Sequence, residues 1–138
     1  MLDRCNFLSA TLSNAVLMGV KSAVSANFGS VIATDADLTG ANLAGAEFRL
    51  TDLSRCQAPW ANFDNTCFWH TKLVNGNLSG ASFVGAELSG ADFTGAVLRG
   101  CNFDGAWHRD DHPPIWPWPD EMDEIPALEV RDWKDLGL

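Results

Sequence analysis

All eight phenylalanines of the chain, Phe7, Phe28, Phe48, Phe63, Phe68, Phe83, Phe93 and Phe103, stand at one phase of a five-residue repeat, once a one-residue slip after Phe7 is allowed for. From Ala26 the sequence divides into seventeen consecutive pentads, such as Ala36-Asp37-Leu38-Thr39-Gly40 and Ala91-Asp92-Phe93-Thr94-Gly95, and four more precede the slip. Across these twenty-one pentads the third residue is Leu or Phe in seventeen, and the first is always small or Val. A period of five fits neither an amphipathic helix nor a half-buried strand. Short units repeated at a fixed period cannot bury their own apolar residues and must stack on their neighbours, so the chain reads as a solenoid.

In an extended segment the first and third residues of a pentad share one side, and both are apolar, so they point inward. The predicted core is therefore Phe7, Phe28, Leu38, Leu43, Phe48, Leu53, Phe63, Phe68, Leu73, Leu78, Phe83, Leu88, Phe93, Leu98 and Phe103. The fifth residue is Gly in nine pentads, which suits a corner where the backbone turns. Three places break the pattern: Ser22 with the slip near Val24 and Ser25, then Ala33, then Ala58 followed by Pro59 and Trp60. The first reads as a small bulge or loop. Pro59 lacks a ladder donor, and a local kink is expected there.

These A(D/N)LxG-like units resemble the pentapeptide-repeat family. The resemblance covers roughly residues 2 to 108 and implies an all-β fold, a right-handed quadrilateral β-helix with four pentads to a coil. About five coils at ~4.8 Å per layer give a rod roughly 25 Å long. Residues twenty apart should then stack, with Phe28, Phe48, Phe68 and Leu88 in one interior column and Leu43, Phe63, Phe83 and Phe103 in another.

The repeat occupies residues 1–108, and residues 109–138 form a Pro/Trp-rich acidic tail. Its prolines, in Pro113-Pro114-Ile115-Trp116-Pro117-Trp118-Pro119, cannot continue a ladder. Two readings stand: a cap in which Trp116 and Trp118 cover the open end of the last coil, or a docking segment that anchors a partner. A short helix is expected from 126 to 136, with Pro at its first turn and Gly137 as its stop. Leu2 is already in phase with Phe7, so the first coil has no equivalent cap, and a homodimer through the N-terminal coils is expected.

Chemistry is sparse. No nucleophile and base can be singled out, no phosphate-cradling glycine motif occurs, and no cofactor or enzymatic activity is expected. His108, Asp110, Asp111 and His112 are the one tight group of metal-ligand types, but Pro113 and Pro114 argue against a helix that would gather them, and a solvated junction is the reading. Cys5, Cys56 and Cys101 take the small inward position and read as free buried thiols, while Cys67 faces outward. With no signal peptide or membrane span indicated, a cytoplasmic protein is expected.

A binding surface remains. Trp60 and Trp69 are outward, two pentads apart and so on roughly opposite sides; with Trp116, Trp118, Asp52 and Asp92 they are the candidate contacts for a protein partner. The reading is a non-catalytic protein-binding module, a rigid interaction or regulatory scaffold. The resemblance implies an alternative, since elongated acidic members of the family mimic duplex DNA and occupy DNA gyrase or topoisomerase IV. Charge tells against it: of a net −9, residues 1–108 carry nine acidic and six basic side chains and residues 109–138 nine and three, so the rod holds only −3. Duplex DNA of ~25 Å carries about 15 negative charges, and Lys72 interrupts the outward column Ile32, Asp52, Lys72, Asp92. A tail folded back would add its charge to the rod end and favour a mimic, whereas a projecting tail would read as a tether. A third reading is an architectural part of a larger assembly. The acidic balance argues against direct nucleic-acid binding.

Overall fold

The computed structural model describes residues 1–117, 119–132 and 134. The repeats wind into a right-handed coil of four sides, held by parallel single-residue bridges between successive layers. The first side stacks Asn6, Asn27, Glu47, Cys67, Glu87 and Trp107; the second Thr11, Ile32, Asp52, Lys72, Asp92 and Ile115; the third Val16, Asp37, Gln57, Asn77 and Val97; the fourth Asn42, Asn62, Ser82 and Asn102.

Why the sequence closes this way is visible in one pentad. Third-position and fifth-position amides donate to the coil above, as Leu43 N–H does to Asn62 O at 2.8 Å and Gly45 N–H to Asp64 O at 2.8 Å. The second-position amide donates to the coil below, and the first-position amide closes the turn onto the third residue before it, as Ala46 N–H does to Leu43 O at 3.0 Å. The fourth-position amide joins neither ladder. Where the second residue is Asn, Asp or Glu, its side chain takes that amide, as in Ser54 N–H to Asp52 Oδ1 at 3.0 Å, Asp64 N–H to Asn62 Oδ1 at 2.8 Å and Ser89 N–H to Glu87 Oε1 at 2.7 Å. Asn, Asp and Glu recur at the second place because a short polar side chain there satisfies its own corner.

The same wiring corrects the expectation at Pro59. Proline sits at the one position whose amide the ladder does not use, so no ladder bond is lost: Ala58 N–H reaches Asn77 O at 2.8 Å and Trp60 N–H reaches Ser79 O at 2.9 Å. The slip also lies elsewhere than expected. Val24 and Ser25 form an ordinary corner, with Ser25 at φ 57° in the fifth place, and the extra residue falls at Lys21–Ser22 as a bulge on the fourth side. Bridges accordingly span twenty-one residues before it (Asn6 to Asn27) and twenty after it (Asn27 to Glu47).

Inside, Phe28 lies over Phe48 at 4.9 Å between ring centroids and 3° between planes, and Phe83 over Phe103 at 5.0 Å and 7°; the two columns meet edge to face, as Phe48 and Phe63 do at 5.9 Å and 78°. Offset stacking along a column and T-shaped contact across it are both favourable for aromatic quadrupoles. Of the predicted core, residues from Phe28 to Leu98 are buried, while Phe7 and Phe103, in the outer coils, are partly buried against it.

The tail lies on the end of the rod. Trp116 stacks on Phe93 at 5.3 Å and 8° and meets Phe103 edge-on at 5.5 Å, while Met122 is buried. A 3-10 turn forms at Pro119–Glu121. Over residues 126–132 the expected helix is not formed, and 133, 135 and 136 lie outside the described residues: β2, Glu129–Arg131, pairs in parallel with β1, Trp107–Arg109, as a further rung of the first side. An open ladder edge overrode the local helix signals. No helix among the described residues is long and apolar enough to cross a membrane.

Candidate functional site

Second-position and fourth-position side chains form the outer surface, and on the first side they enclose an open cleft of about 460 Å³ lined by Glu47, Arg49, Cys67, Trp69, Glu87, Trp107 and Arg109. The coil pitch positions them: Cys67 and Trp69 flank one rung, Glu87 the next, Trp107 and Arg109 the one above. Arg109 lies over the Trp69 ring at 4.9 Å, and Arg131, delivered by β2, lies over Trp107 at 4.3 Å. Both indoles are thereby held in place by cations. Trp69 also meets His70 at 4.6 Å and His112 at 4.8 Å, where the tail leaves the regular coil.

The Cys67 thiol is pushed up to about 12, first by burial and further by the charges of Glu47 and Glu87, and it donates to Glu87 Oε2 at 3.4 Å. Burial beside two carboxylates thus favours the protonated thiol over the thiolate. Burial likewise pushes Cys56 and Cys101 up to about 12, and all four cysteines are unpaired. No group of three or more His, Cys, Asp or Glu side chains among the described residues is placed to hold a metal ion. His112 Nδ1 lies 2.7 Å from Asp111 Oδ1, and the Asp111 carboxyl is held below its ordinary value chiefly by that contact, while His108 turns to Arg109 O at 2.7 Å.

The predicted contact residues do not come together. Trp60 is a corner residue at φ 57°, 72% exposed, with its ring lying over Gly80, where an added Cβ would come within 2.8 Å of it. Trp69 is half-buried on the first side. Trp116 is turned into the end of the core and is not an outward contact, which corrects the docking reading of that residue; Trp118 lies outside the described residues. Asp52 and Asp92 cap the Ser54 and Thr94 amides at 3.0 and 2.9 Å, so both carboxylates serve their corners. Trp107, outward by phase, is the residue whose role sequence reasoning missed. Its coincidence with Trp69 on one side, two coils apart, was readable from the twenty-residue spacing.

The fold is that of a quadrilateral β-helix, and comparison with known proteins places it. The family model for pentapeptide repeats matches eight copies over residues 34–69 and 61–100. The chain belongs to the pentapeptide-repeat family. Among solved structures it is similar to the pentapeptide-repeat protein Rfr23 from the cyanobacterium Cyanothece 51142, at 22% identity and a TM-score of 0.75, covering 81% of this chain and 88% of that one. It is also similar to alr5209, a pentapeptide-repeat protein from Nostoc Pcc 7120, at 25% identity and a TM-score of 0.56, covering 72% and 84%. QnrB1, a plasmid-mediated fluoroquinolone resistance protein, aligns over 99% of this chain and 93% of its own at 15% identity, but a TM-score of 0.36 is too low to carry an argument. No curated protein matches the sequence.

Proposed function

We propose that the protein is a non-catalytic binding module that takes a protein partner on its first side. One observation carries this reading: the cleft between Trp69 and Trp107, in which two half-exposed indoles, each backed by an arginine, stand beside the Glu47 and Glu87 carboxylates. Rigid aromatic surface ringed by charges of both signs is what a desolvated protein contact uses. Four unpaired thiols fit a reducing compartment, and a cytoplasmic setting is part of the proposal. So is self-association through the first coil, where Leu2, Phe7, Leu12 and Leu17 are only partly buried. Sedimentation as a monomer at ~100 μM, well above the micromolar range of ordinary dimers, would remove that element.

A DNA-like gyrase modulator is the second reading. The tail's position on the rod favours it, since Asp120, Glu121, Asp123 and Glu124 are thereby added to one end. Against it stand the corner duties of Asp52 and Asp92 and the Lys72 between them.

Affinity capture from a bacterial lysate, with the wild-type chain beside Trp69→Ser and Lys72→Glu variants, separates the two. A partner retained by wild type and lost with Trp69→Ser is the expected result. Gyrase or topoisomerase IV subunits retained equally by all three, or better by Lys72→Glu, would put the mimic first.

A further inference from the structure

The tail bonds the rod end on three sides, though Gly95 N–H on the second and the Ala96 carbonyl on the third have no partner among the described residues, and it makes no main-chain bond to the fourth. In each inner coil three main-chain groups per side reach upward: the third-position amide, the fifth-position amide and the first-position carbonyl. On the fourth side Phe83 N–H donates to Asn102 O at 2.7 Å, Gly85 N–H to Asp104 O at 2.9 Å, and Ala81 O accepts from Asn102 N–H at 3.1 Å. At the last coil the tail takes over on the second side, where Ile115 bonds both Phe93 N–H and Ala91 O at 2.8 Å. On the third side Glu121 O takes Leu98 N–H at 2.7 Å and the Asp123 carboxylate takes Gly100 N–H at 2.8 Å, and on the first side β2 pairs with β1. On the fourth side the equivalent groups, Phe103 N–H, Gly105 N–H and Cys101 C=O, have no partner among the described residues.

Residues 122–127 pass this side without pairing to it. Between them and the last coil lies a cleft of about 390 Å³, with Leu98, Phe103 and Met122 as apolar lining and Asp104, Asp123 and Glu124 as acidic lining. An unpaired ladder rung beside an apolar floor is a site for strand addition, in which main-chain bonds give affinity and alternate side chains give selectivity.

We propose that this cleft receives an extended segment of a protein partner in which basic and apolar residues alternate. The ladder's own wiring sets the register. The first residue of a tripeptide donates its N–H to Cys101 C=O and accepts from Phe103 N–H, and the third residue's carbonyl accepts from Gly105 N–H. Its middle side chain falls on Phe103 and Met122, and the flanking basic side chains meet Asp104, Asp123 and Glu124. The three acids on this cleft face no cation of the cleft's own lining, so charge complementarity selects lysine or arginine. This surface is separate from the Trp69 cleft on the first side, and either can fail without the other.

The test is amide hydrogen exchange on the full ¹⁵N-labelled chain, with acetyl-Lys-Val-Arg-Val-Lys-amide as probe and acetyl-Glu-Val-Glu-Val-Glu-amide as control. In the free protein the Phe103 and Gly105 amides should exchange at least ~100-fold faster than those of Phe83 and Gly85. The basic peptide should slow both by roughly tenfold or more and leave Gly85 unchanged, the acidic one should not, and joint Asp104→Lys and Glu124→Lys substitution should weaken the basic peptide about tenfold without lowering Tm. Unchanged exchange at millimolar basic peptide, or equal protection by both peptides, overturns the proposal. So does protection that grows with protein concentration alone, which would make the occupant a second copy of this chain.

Discussion

At the scale of the residue, the fifth position carries the strain of this fold. Twelve non-glycine residues, Leu50 and Trp60 among them, stand there at positive φ, and from Gly80 to Gly105 the position is always glycine. Two reasons for glycine can be told apart. At Gly40, φ +62°, an added Cβ meets nothing within 4 Å; at Gly95, φ +66°, it collides with Asn75 Oδ1 from the coil below. Gly40→Ala is expected to cost ~1–2 kcal/mol, the ordinary left-handed penalty, and Gly95→Ala more. Adding Asn75→Gly should return the second to the level of the first. Equal losses for both single variants in urea unfolding would show that inter-coil contact plays no part. The five-residue phase was fully legible here, but which corners needed glycine for space was not, because that depends on the side chain twenty residues earlier.

At the scale of the element, one pentad's polar residue is spent on its own corner, and this changes how charge on the rod should be read. The Asp37 carboxylate accepts from Thr39 N–H at 3.0 Å and is held below its ordinary value of 3.8, first by its bonds to Thr39. A carboxyl lowered in the folded state contributes stability above its unfolded value, and that contribution is lost as pH falls through the folded value. Asn27, Asn42, Asn62, Asn77 and Asn102 make the same cap with an amide that does not titrate in this range. Asp37→Asn should therefore keep the fold, and the Tm difference from wild type should be constant above about pH 5 and change below about pH 4. A difference independent of pH down to pH 2 would deny the carboxylate its capping role. The recurrence of Asn and Asp was visible in the sequence. Its partner, the fourth-position amide that the ladder leaves free, was not, and for that reason Pro59 was misjudged as a kink.

At the scale of the whole molecule, the tail is where pattern reading ran out. Its composition left both a cap and a docking segment open, and the helix signals around Pro126 pointed the wrong way because β1 and the Ala106 carbonyl offered Glu129–Arg131 a ladder edge. Nor could its course be counted from the period, since Ile115 lies over Asp92 twenty-three residues on instead of twenty. Arg109 and Arg131, both from beyond the repeat, lie over Trp69 and Trp107, so the proposed contact surface takes this form with the tail in place.

The central claim, that a partner is held on the first side, is tested most directly by oxidative footprinting of the tryptophans in the complex captured by the wild-type chain. Trp60, 72% exposed at a corner away from that side, serves as the internal control. The account predicts that Trp69 and Trp107 become protected while Trp60 stays as reactive as in the free protein. Protection of Trp60 with Trp69 and Trp107 unchanged would contradict it and move the binding surface to another side of the coil.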